Sequence, residues 1–496
     1  MRKKSVQSGE GKKETTMPRT LEAVETVKSL INGQPVTGQG QLIELRHHFT
    51  QEMIAQGHEL SPEQVDQAVS AARAAQQVMA EMPRHKRAAL LRETAARIEQ
   101  RSEEIARMIT LECGKPIKLS RSEVGRSVEL FGFAADEAKR FTGEMVPIDA
   151  SSRGEGRMAF TRREPIGVVG AITPFNFPLN LVSHKVAPAL AVGNTIVHKP
   201  TINTPRTALL LAQAITEAGA PPGAINVLLG SVSVGEAMVT HPGIDMISFT
   251  GSPTVGWRIK ERSGRKRTLL ELGSNSATII DADADLDRAI PRCVSGAFDY
   301  SGQICISVQR IFIHQAIAQQ FTERFLAAVG KLRLGDPLEE DTDLGPMINL
   351  EAAERIESWV KEAVAGGAQM LTGGRREGAM YEPTVLTKVS PEMKVSCLEA
   401  FAPIVTLTTF STLDEAIELV NDSIYGLQAG IYTNDLAHAF EAAKRIKVGG
   451  VIINDIPNWR VDQMPYGGIK ESGVGREGVR YTMEEMTDIK LVVFNL

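Results

Sequence analysis

The sequence predicts an α/β protein made of two doubly wound parallel sheets with a β-hairpin arm. Three observations carry this reading. Short runs rich in Val and Ile recur between amphipathic helical patterns from residue 166 to residue 274. The same alternation resumes after residue 275. Between the helical N-terminal part and the first apolar run lies "GEMVPIDASSRGEGRMAFTRREP" (143–165), two β-like segments around a Gly/Ser turn with no helical pattern of its own. Strands separated by helices pair in parallel, whereas a stretch without a crossover reads as a hairpin.

The elements follow in order. Residues 1–20 are polar, mix Lys with Glu and lack the apolar core of a secretory signal, so they read as a disordered tail, or as an upstream start with Met17 the real one. Ser61-Pro62-Glu63-Gln64 is a capping box with Pro at the first helical position, and it opens the helix "VDQAVSAARAAQQVMAEM". A second pattern, "RAALLRETAARIEQRSEEIARMITLE", reads as one long helix ending near Gly114-Lys115-Pro116. The strands of the first unit are "IGVVGAI", "GNTIVHKP", "INVLLG", "DMISFTGS" and "TLLELGS". Those of the second are "SATIID", "RIFIHQ", "PIVTLTTF" and "LQAGIYTND". This divides the chain into one unit from 21–142 and 163–270, a second from 271–482, and an arm from 143–162 with the C-terminal 483–496. The terminal "IKLVVFNL" reads as an edge strand, and the arm either pairs subunits or decorates the fold. No fixed-period repeat or low-complexity segment stands out.

Composition narrows the function. The 496 residues exceed what one core organises, and 43% hydrophobic with 23% charged residues is ordinary for a globular chain. A net charge of −5 supplies no basic stripe for nucleic acid, and no apolar run spans a bilayer. The four cysteines, Cys113, Cys293, Cys305 and Cys397, form no C-x-x-C pair, which fits a reducing cytoplasm and argues against a cysteine zinc site. The nine histidines include no H-E-x-x-H, and His47-His48 reads as a solvated strand end.

Ligands of a doubly wound sheet sit at the carboxyl ends of its strands. There, "FTGSPTVG" places Gly251 and Ser252 between a strand and a helix, where free N–H groups and the helix dipole suit a pyrophosphate. Lys199 ends the strand of "VHKP", within reach of a ribose or phosphate. In "TPFNFP" two prolines frame Asn176, so its amide is held in one direction. Cys305 lies in a Gly-led loop, "GQICIS". Taken singly, a turn, a solvated lysine and a packing cysteine are the commoner explanations of these features.

Together, "PFNFP", "VHKP", "SFTGS", "LELGSN", "GQICIS", "EAFAPI" and "PYGGIKESGVGREG" occur in the order and spacing of the aldehyde dehydrogenase superfamily, which the chain resembles from about residue 30 to its C-terminus. The resemblance implies that the first unit binds NAD or NADP and the second is catalytic. It implies Cys305 as the nucleophile that forms a thiohemiacetal and then a thioester, with Asn176 and a backbone N–H holding the oxyanion. Glu271 of "LELG" is implied as the general base that activates the hydrolytic water. Glu399 and Phe401 of "EAFAPI" are implied contacts of the nicotinamide ribose and ring, and Thr173, Pro174 and Phe175 join Lys199, Gly251 and Ser252 at the cofactor. The family's usual glycine after the Phe is Ala402 here. Cys113, Cys293 and Cys397 match no family role and read as packing.

Many NAD-preferring members carry Glu three residues after the lysine, where this chain has Ile202, so nothing there repels a 2′-phosphate and both cofactors stay open. For the substrate, Arg126 on "RSEVGRSVELFGFAA" matches an arginine of members that oxidise glyceraldehyde 3-phosphate without phosphorylating it, and Arg460 lies on the loop that closes the family's substrate tunnel. The pair either binds a phosphate, sulfonate or carboxylate, or pairs with neighbours such as Glu129 and Asp462. Ile304 stands before the nucleophile, where those phosphoglyceraldehyde oxidisers tend to have another arginine. That leaves a small anionic or hydroxylated aldehyde: lactaldehyde, a semialdehyde, a sulfo- or phosphonoaldehyde. The expected partner is that small molecule, in a homodimer or homotetramer. A CoA-acylating enzyme would lack the glutamate, and a silent scaffold would have lost Cys305, Glu271 or Asn176.

Overall fold

The computed structural model describes residues 25–496. The tail reading for residues 1–20, and the choice of Met17 as start, lie outside the described residues.

Two twisted sheets organise the chain. The first has eight strands in the spatial order Gly473–Val474, Arg267–Glu271, Met246–Thr250, Val168–Ile172, Thr195–Lys199, Ile225–Val227, Ser29–Ile31 and Gln34–Val36. Its five central strands are parallel and the added edges antiparallel. The central strands are buried along their length except at the outer residues of two of them, which is why they read as continuous apolar runs rather than alternating ones. Chain order runs outward from Val168–Ile172 in both directions, so the topological switch point falls between that strand and Met246–Thr250. A ligand crevice is expected there.

The second sheet has seven strands in the order Gln369–Thr372, Thr384–Thr387, Ile404–Phe410, Arg310–His314, Ala277–Ile280, Gln428–Tyr432 and Gly450–Ile453, all parallel except the first. Each sheet has its own helices and core. The helix Asn180–Val192 is buried on every side beneath the first sheet, and Leu286–Phe298 packs against Ala318–Val329 beside the second.

The 143–165 stretch does form an arm. Arg157–Pro165 pairs antiparallel with Met145–Val146 on one side and with Thr487–Asn495 on the other, from Thr487 opposite Pro165 to Asn495 opposite Arg157. Two single 3₁₀ turns, Ile148–Ala150 and Ser152–Gly154, make the bend.

Two local readings change. The long pattern after residue 84 is two helices, Arg84–Gln100 and Ser102–Cys113, broken at Arg101 (φ −106°, ψ 19°). No Gly or Pro marks the break; Glu104 holds the Arg101 guanidinium, and both helices pack on Ile117–Arg140. His47 and His48 are not solvated. His47 is buried, and the His48 ring lies 2.6 Å from the Glu112 carbonyl, so both face the protein just after the strand Leu42–Arg46.

Candidate active site

The loop that carries Cys305 is built from strain held in place. After helix Leu286–Phe298 the chain turns through Tyr300 (φ 50°), Ser301 (φ 54°) and Gly302 (φ 67°), three consecutive left-handed residues. For the two that are not glycine this costs on the order of 1 kcal/mol or more each. Surrounding bonds hold it: Tyr300 Oη donates to the Cys113 carbonyl at 2.9 Å, Ser301 Oγ to the Gly345 carbonyl at 2.7 Å, and Gln303 Oε1 accepts from the Ile348 N–H at 2.8 Å. Gly302 must be glycine, because a Cβ there would lie 2.1 Å from the Ala402 carbonyl oxygen. The turn thereby sets Gly302 against Ala402 of the "EAFAPI" segment and leads into Cys305, half-buried. Ala402 itself needs no glycine: the left-handed residue is Phe401 (φ 48°), whose ring packs edge-on against Phe175 at 5.9 Å.

Asn176 reaches the same loop. Its Nδ2 donates to the Gln303 carbonyl at 3.0 Å, and its Oδ1 is buried without a partner. The segment bearing it is tied to the strand Thr195–Lys199, with the Thr173 N–H donating to the Lys199 carbonyl at 3.2 Å and Thr173 Oγ1 2.9 Å from His198 Nε2. Behind it, Glu123 accepts from the Leu179 and Asn180 N–H groups and pairs with buried Lys115, whose ammonium lies over the Phe177 ring at 3.8 Å and the Tyr300 ring at 4.8 Å. Lys115 thus joins the Asn176 segment to the turn that leads into Cys305.

Glu271 ends its strand with both carboxylate oxygens buried and unpartnered. Glu399 lies over the next turn, accepting the Ser274 N–H at 3.0 Å, and a Cβ on Gly273 would come within 2.4 Å of it. Gly251 donates its N–H to the Glu271 carbonyl at 3.1 Å, and Ser252 is the N-cap of the helix Pro253–Arg262.

Arg126 and Arg460 converge, but through an intermediary. Asp462 accepts from Arg126 at 2.6 Å and 3.2 Å, and His184 Nε2 lies 2.9 Å from the same carboxylate. Arg460 Nη2 is 3.0 Å from His184 Nε2 and 3.6 Å from Glu477, while Glu477 also takes the Lys185 ammonium at 2.8 Å. The Arg460 guanidinium stacks on the Tyr466 ring at 3.7 Å, and the Tyr466 hydroxyl lies 2.9 Å from Cys305 Sγ. Glu129 plays no part in this cluster, so of the two neighbours considered for the arginines only Asp462 pairs.

The aldehyde dehydrogenase family matches residues 36–492 of the chain. The chain belongs to this family. The 3-sulfolactaldehyde dehydrogenase of Priestia megaterium is 45% identical over 96% of this chain and the whole of that one. Among solved structures, aldehyde dehydrogenase 21 from Physcomitrella patens, in complex with the reaction product succinate, is 42% identical with a TM-score of 0.94, covering 96% of this chain and 99% of that one. The glyceraldehyde-3-phosphate dehydrogenase GapN from Methanocaldococcus jannaschii, complexed with NADP, is 40% identical with a TM-score of 0.88, covering 92% and 99%.

In this aldehyde dehydrogenase one of the expected cofactor residues, Lys199, lines a groove; Gly251, Ser252, Thr173, Pro174, Phe175, Glu399 and Phe401 are not among the residues that bound it. At the switch point of the first sheet a cavity of about 300 Å³ is bounded by Ile172, Lys199, Ile202, Ser231, Gly235 and Phe249, among others. Gly235 leaves room beside the Lys199 stem, since a Cβ there would touch it at 3.4 Å. Burial lowers the Lys199 ammonium to about 8, with Glu59 opposing, and its one described acceptor is the Pro200 carbonyl at 3.1 Å. A buried cation so poorly supplied with acceptors, beside an apolar slot, fits the ribose and phosphates of a dinucleotide. At the outer end the Glu236 carboxylate is already held by Arg258 at 2.5 Å and Arg262 at 3.0 Å.

The enzyme's titratable groups are tuned by burial first. Burial raises the Cys305 thiol to about 11; the Tyr466 hydrogen bond and the Arg460 charge oppose this, while Glu399 and Glu271 add to it. Burial, then Glu477, raises Glu271 well above the ordinary carboxylate range, against Arg460, Lys185 and Arg476. Burial raises Glu399 to about 7. Asp462 is held well below its ordinary value by His184 and Arg126, although burial opposes them.

Tyr466, His184, Lys185, Asp462 and Glu477 were not singled out as site residues by the sequence. Tyr466 and Glu477 lie inside the quoted "PYGGIKESGVGREG", so their signal was the motif itself; His184 and Lys185 lie on the fully buried helix Asn180–Val192, for which the sequence offered no site motif. Cys113 and Cys293 are buried on helices, and Cys397 ends the short helix Lys394–Cys397. Among the described residues there is no group of three or more His, Cys, Asp or Glu placed to hold a metal, and no helix long and apolar enough to cross a membrane.

Proposed function

We propose that the enzyme oxidises a small anionic aldehyde to the free carboxylic acid with NAD or NADP, and that the anion is drawn by the cation cluster beside Cys305. That cluster is the observation that carries the reading. Arg126, Arg460 and Lys185 set three cations against the carboxylates of Asp462 and Glu477, Glu271 has the Arg476 side chain as a further cation beside it, and His184 is lowered by burial. One positive charge is left over, a single aromatic ring away from the thiol. An anionic substrate group neutralises it in a largely water-excluded site, where such a charge is worth more than in water. Sulfonate, carboxylate and phosphate share this chemistry. The names of the relatives, which include a sulfolactaldehyde oxidiser and a succinate complex, are in keeping with it. Ile304 is packed in the core, so no third arginine adds to the pair from the residue before Cys305.

The residues divide the work as follows. The Cys305 thiolate attacks the aldehyde carbon, and the oxygen that becomes negative is placed by the Asn176 amide, fixed on the nucleophile loop, and by a backbone N–H near Cys305. Lys199, Gly251, Ser252, Thr173, Pro174 and Phe175 hold the dinucleotide, and Glu399 and Phe401 orient its nicotinamide end. When bound, the nicotinamide supplies the hydride acceptor. Glu271 takes a proton from the water that releases the acid; its unpartnered oxygens leave it free to do so. The presence of Glu271 favours hydrolysis over transfer to CoA. The unit 21–142 with 163–270 serves the cofactor, 271–482 carries the nucleophile, and the arm 143–162 with 483–496 joins copies into a homodimer or homotetramer in a reducing cytoplasm.

The test is the absorbance of reduced nicotinamide, with NAD and NADP separately, against sulfolactaldehyde, succinate semialdehyde, glyceraldehyde 3-phosphate, lactaldehyde, phosphonoacetaldehyde and propanal. The expected result is strong preference for one or more anionic aldehydes over propanal. Equal rates for charged and neutral aldehydes would overturn the anion reading. No turnover by a folded, dinucleotide-binding protein would bring the silent or CoA-dependent alternatives forward.

A further inference from the structure

We propose that the Tyr466 hydroxyl is a catalytic hydrogen-bond donor to the Cys305 sulfur, held in place by the Arg460 guanidinium stacked on its ring. The inference rests on the reading of Cys305 as the nucleophile.

Geometry leads to it. The Oη–Sγ distance is 2.9 Å, short for a contact to sulfur, and among the described residues the Tyr466 hydroxyl has no other partner. In the neutral pair either group can be the donor. Once the partly exposed thiol has given its proton to solvent water the sulfur has none, so only the phenol can donate, and the bond becomes charge-assisted. Hydrogen bonds to a charged form favour that form. The ring is held at both ends of its residue: the Tyr466 N–H donates to the Glu477 carbonyl at 2.9 Å and the Glu477 N–H to the Tyr466 carbonyl at 2.7 Å. Arg460, 6% exposed, sits 3.7 Å from the ring centroid. A cation on the π-face is attracted to the ring and so holds it in place.

The need for such a donor is clear from the surroundings. The groups facing Cys305 are Tyr466, Arg460, Glu399 and Glu271, and those facing Tyr466 are Cys305, Arg460 and Glu271. Burial and two carboxyls oppose a thiolate here. Among the described residues Tyr466 is the one side chain hydrogen-bonded to Cys305, so the thiol has no histidine bonded to it as a base. Tyr466 and Arg460 are the pair that work in the thiolate's favour. When the sulfur attacks the carbonyl its charge moves to oxygen, and the phenol remains within reach of the sulfur as the thiohemiacetal collapses. No proton is transferred from Tyr466 in this scheme: it donates a hydrogen bond and keeps its proton.

The experiment reads the rate of Cys305 alkylation by iodoacetamide from about pH 6 to about pH 9, below the thiol's midpoint, where the rate follows the thiolate fraction and so reports a shift of the midpoint, with peptide mapping to separate Cys305 from the other three cysteines. In Tyr466→Phe the midpoint should rise by about one pH unit and the rate near neutral pH should fall about tenfold. kcat should fall with the KM for the dinucleotide unchanged. Tyr466→3-fluorotyrosine, a stronger donor of nearly the same shape, should move the midpoint downward. An unchanged midpoint in Tyr466→Phe with its thermal unfolding intact overturns the proposal. If that variant does not fold, an unchanged midpoint in the fluorotyrosine protein overturns it instead. If the midpoint responds to Tyr466 yet no aldehyde is turned over, the donor role stands and the nucleophile reading fails.

Discussion

Arg126 and Asp462, 336 residues apart in the chain, are locked side chain to side chain through two nitrogens, at 2.6 Å and 3.2 Å. Asp462 is nearly inaccessible while Arg126 keeps 29% of its side chain exposed, so the pair presents its positive member outward.

From this follows the first prediction. Arg126→Ala should raise KM for anionic aldehydes by about 10- to 100-fold, the loss of one charge-assisted interaction. KM for propanal should stay within about twofold. Steady-state kinetics on the two substrates checks it, and an equal rise for both would mean that Arg126 only holds Asp462 in place.

Cys305→Ala should abolish turnover while the unfolding midpoint moves by no more than a few degrees, because the thiol is half-buried and the turn before it is held by Tyr300, Ser301 and Gln303. Retained activity would refute the mechanism.

The acid side of the pH profile should report Glu271. Its carboxyl is raised above the ordinary 4.5, so the basic form is lost as pH falls through that raised value, and release of the acid slows there. Glu271→Gln should give a burst of about one equivalent of reduced nicotinamide followed by a steady rate lower by about 100-fold. The same shift bears on stability with the opposite sense. For Glu271, and for Glu399 raised to about 7, the folded chain holds protons the unfolded chain has lost, so this contribution is full below 4.5 and disappears as pH rises through the folded value. Urea unfolding across that window would show it.

Ile202→Glu, in the groove that Lys199 lines, should lower kcat/KM with NADP by about tenfold or more and spare NAD if the proposed cofactor site is right, because a carboxylate there repels the 2′-phosphate. Equal loss with both would place residue 202 away from the ribose.

Ile489 (61% exposed), Leu491 (55%) and Val493 (40%) line one face of the terminal strand, which also has a free edge in its three-stranded sheet. Ile489→Asp with Leu491→Asp should reduce the sedimenting mass to that of a single chain. An unchanged mass would make the arm decorative.

Much of this architecture was legible because buried parallel strands are apolar on both faces and leave short, recognisable runs: Val168–Ile172 and Met246–Thr250 stand out without a partner in view. Cys305, Glu271 and Asn176 were legible as motif members, and the structure adds the turn and the bonds that surround them. What could not be read was pairing at a distance. Tyr466 meets Cys305 across 161 residues, His184 meets Asp462 across 278, and Lys185 meets Glu477 across 292. No local pattern encodes those separations, and a helix that is buried on every side hides which of its polar residues face a site. The break at Arg101 was unreadable for a different reason: tertiary packing bends the chain where no Gly or Pro announces it.

The edge of the first sheet is completed late. Gly473–Val474 pairs with Leu270–Glu271, the Leu272 N–H donates to the Ser472 carbonyl, and Ser472 Oγ donates to the Gly273 carbonyl at 2.7 Å. A ribosome has therefore made nearly the whole polypeptide before the strand carrying Glu271 acquires its last neighbour. A nascent chain released before that point leaves the strand carrying Glu271 with an unpaired edge and lacks the segment bearing Tyr466.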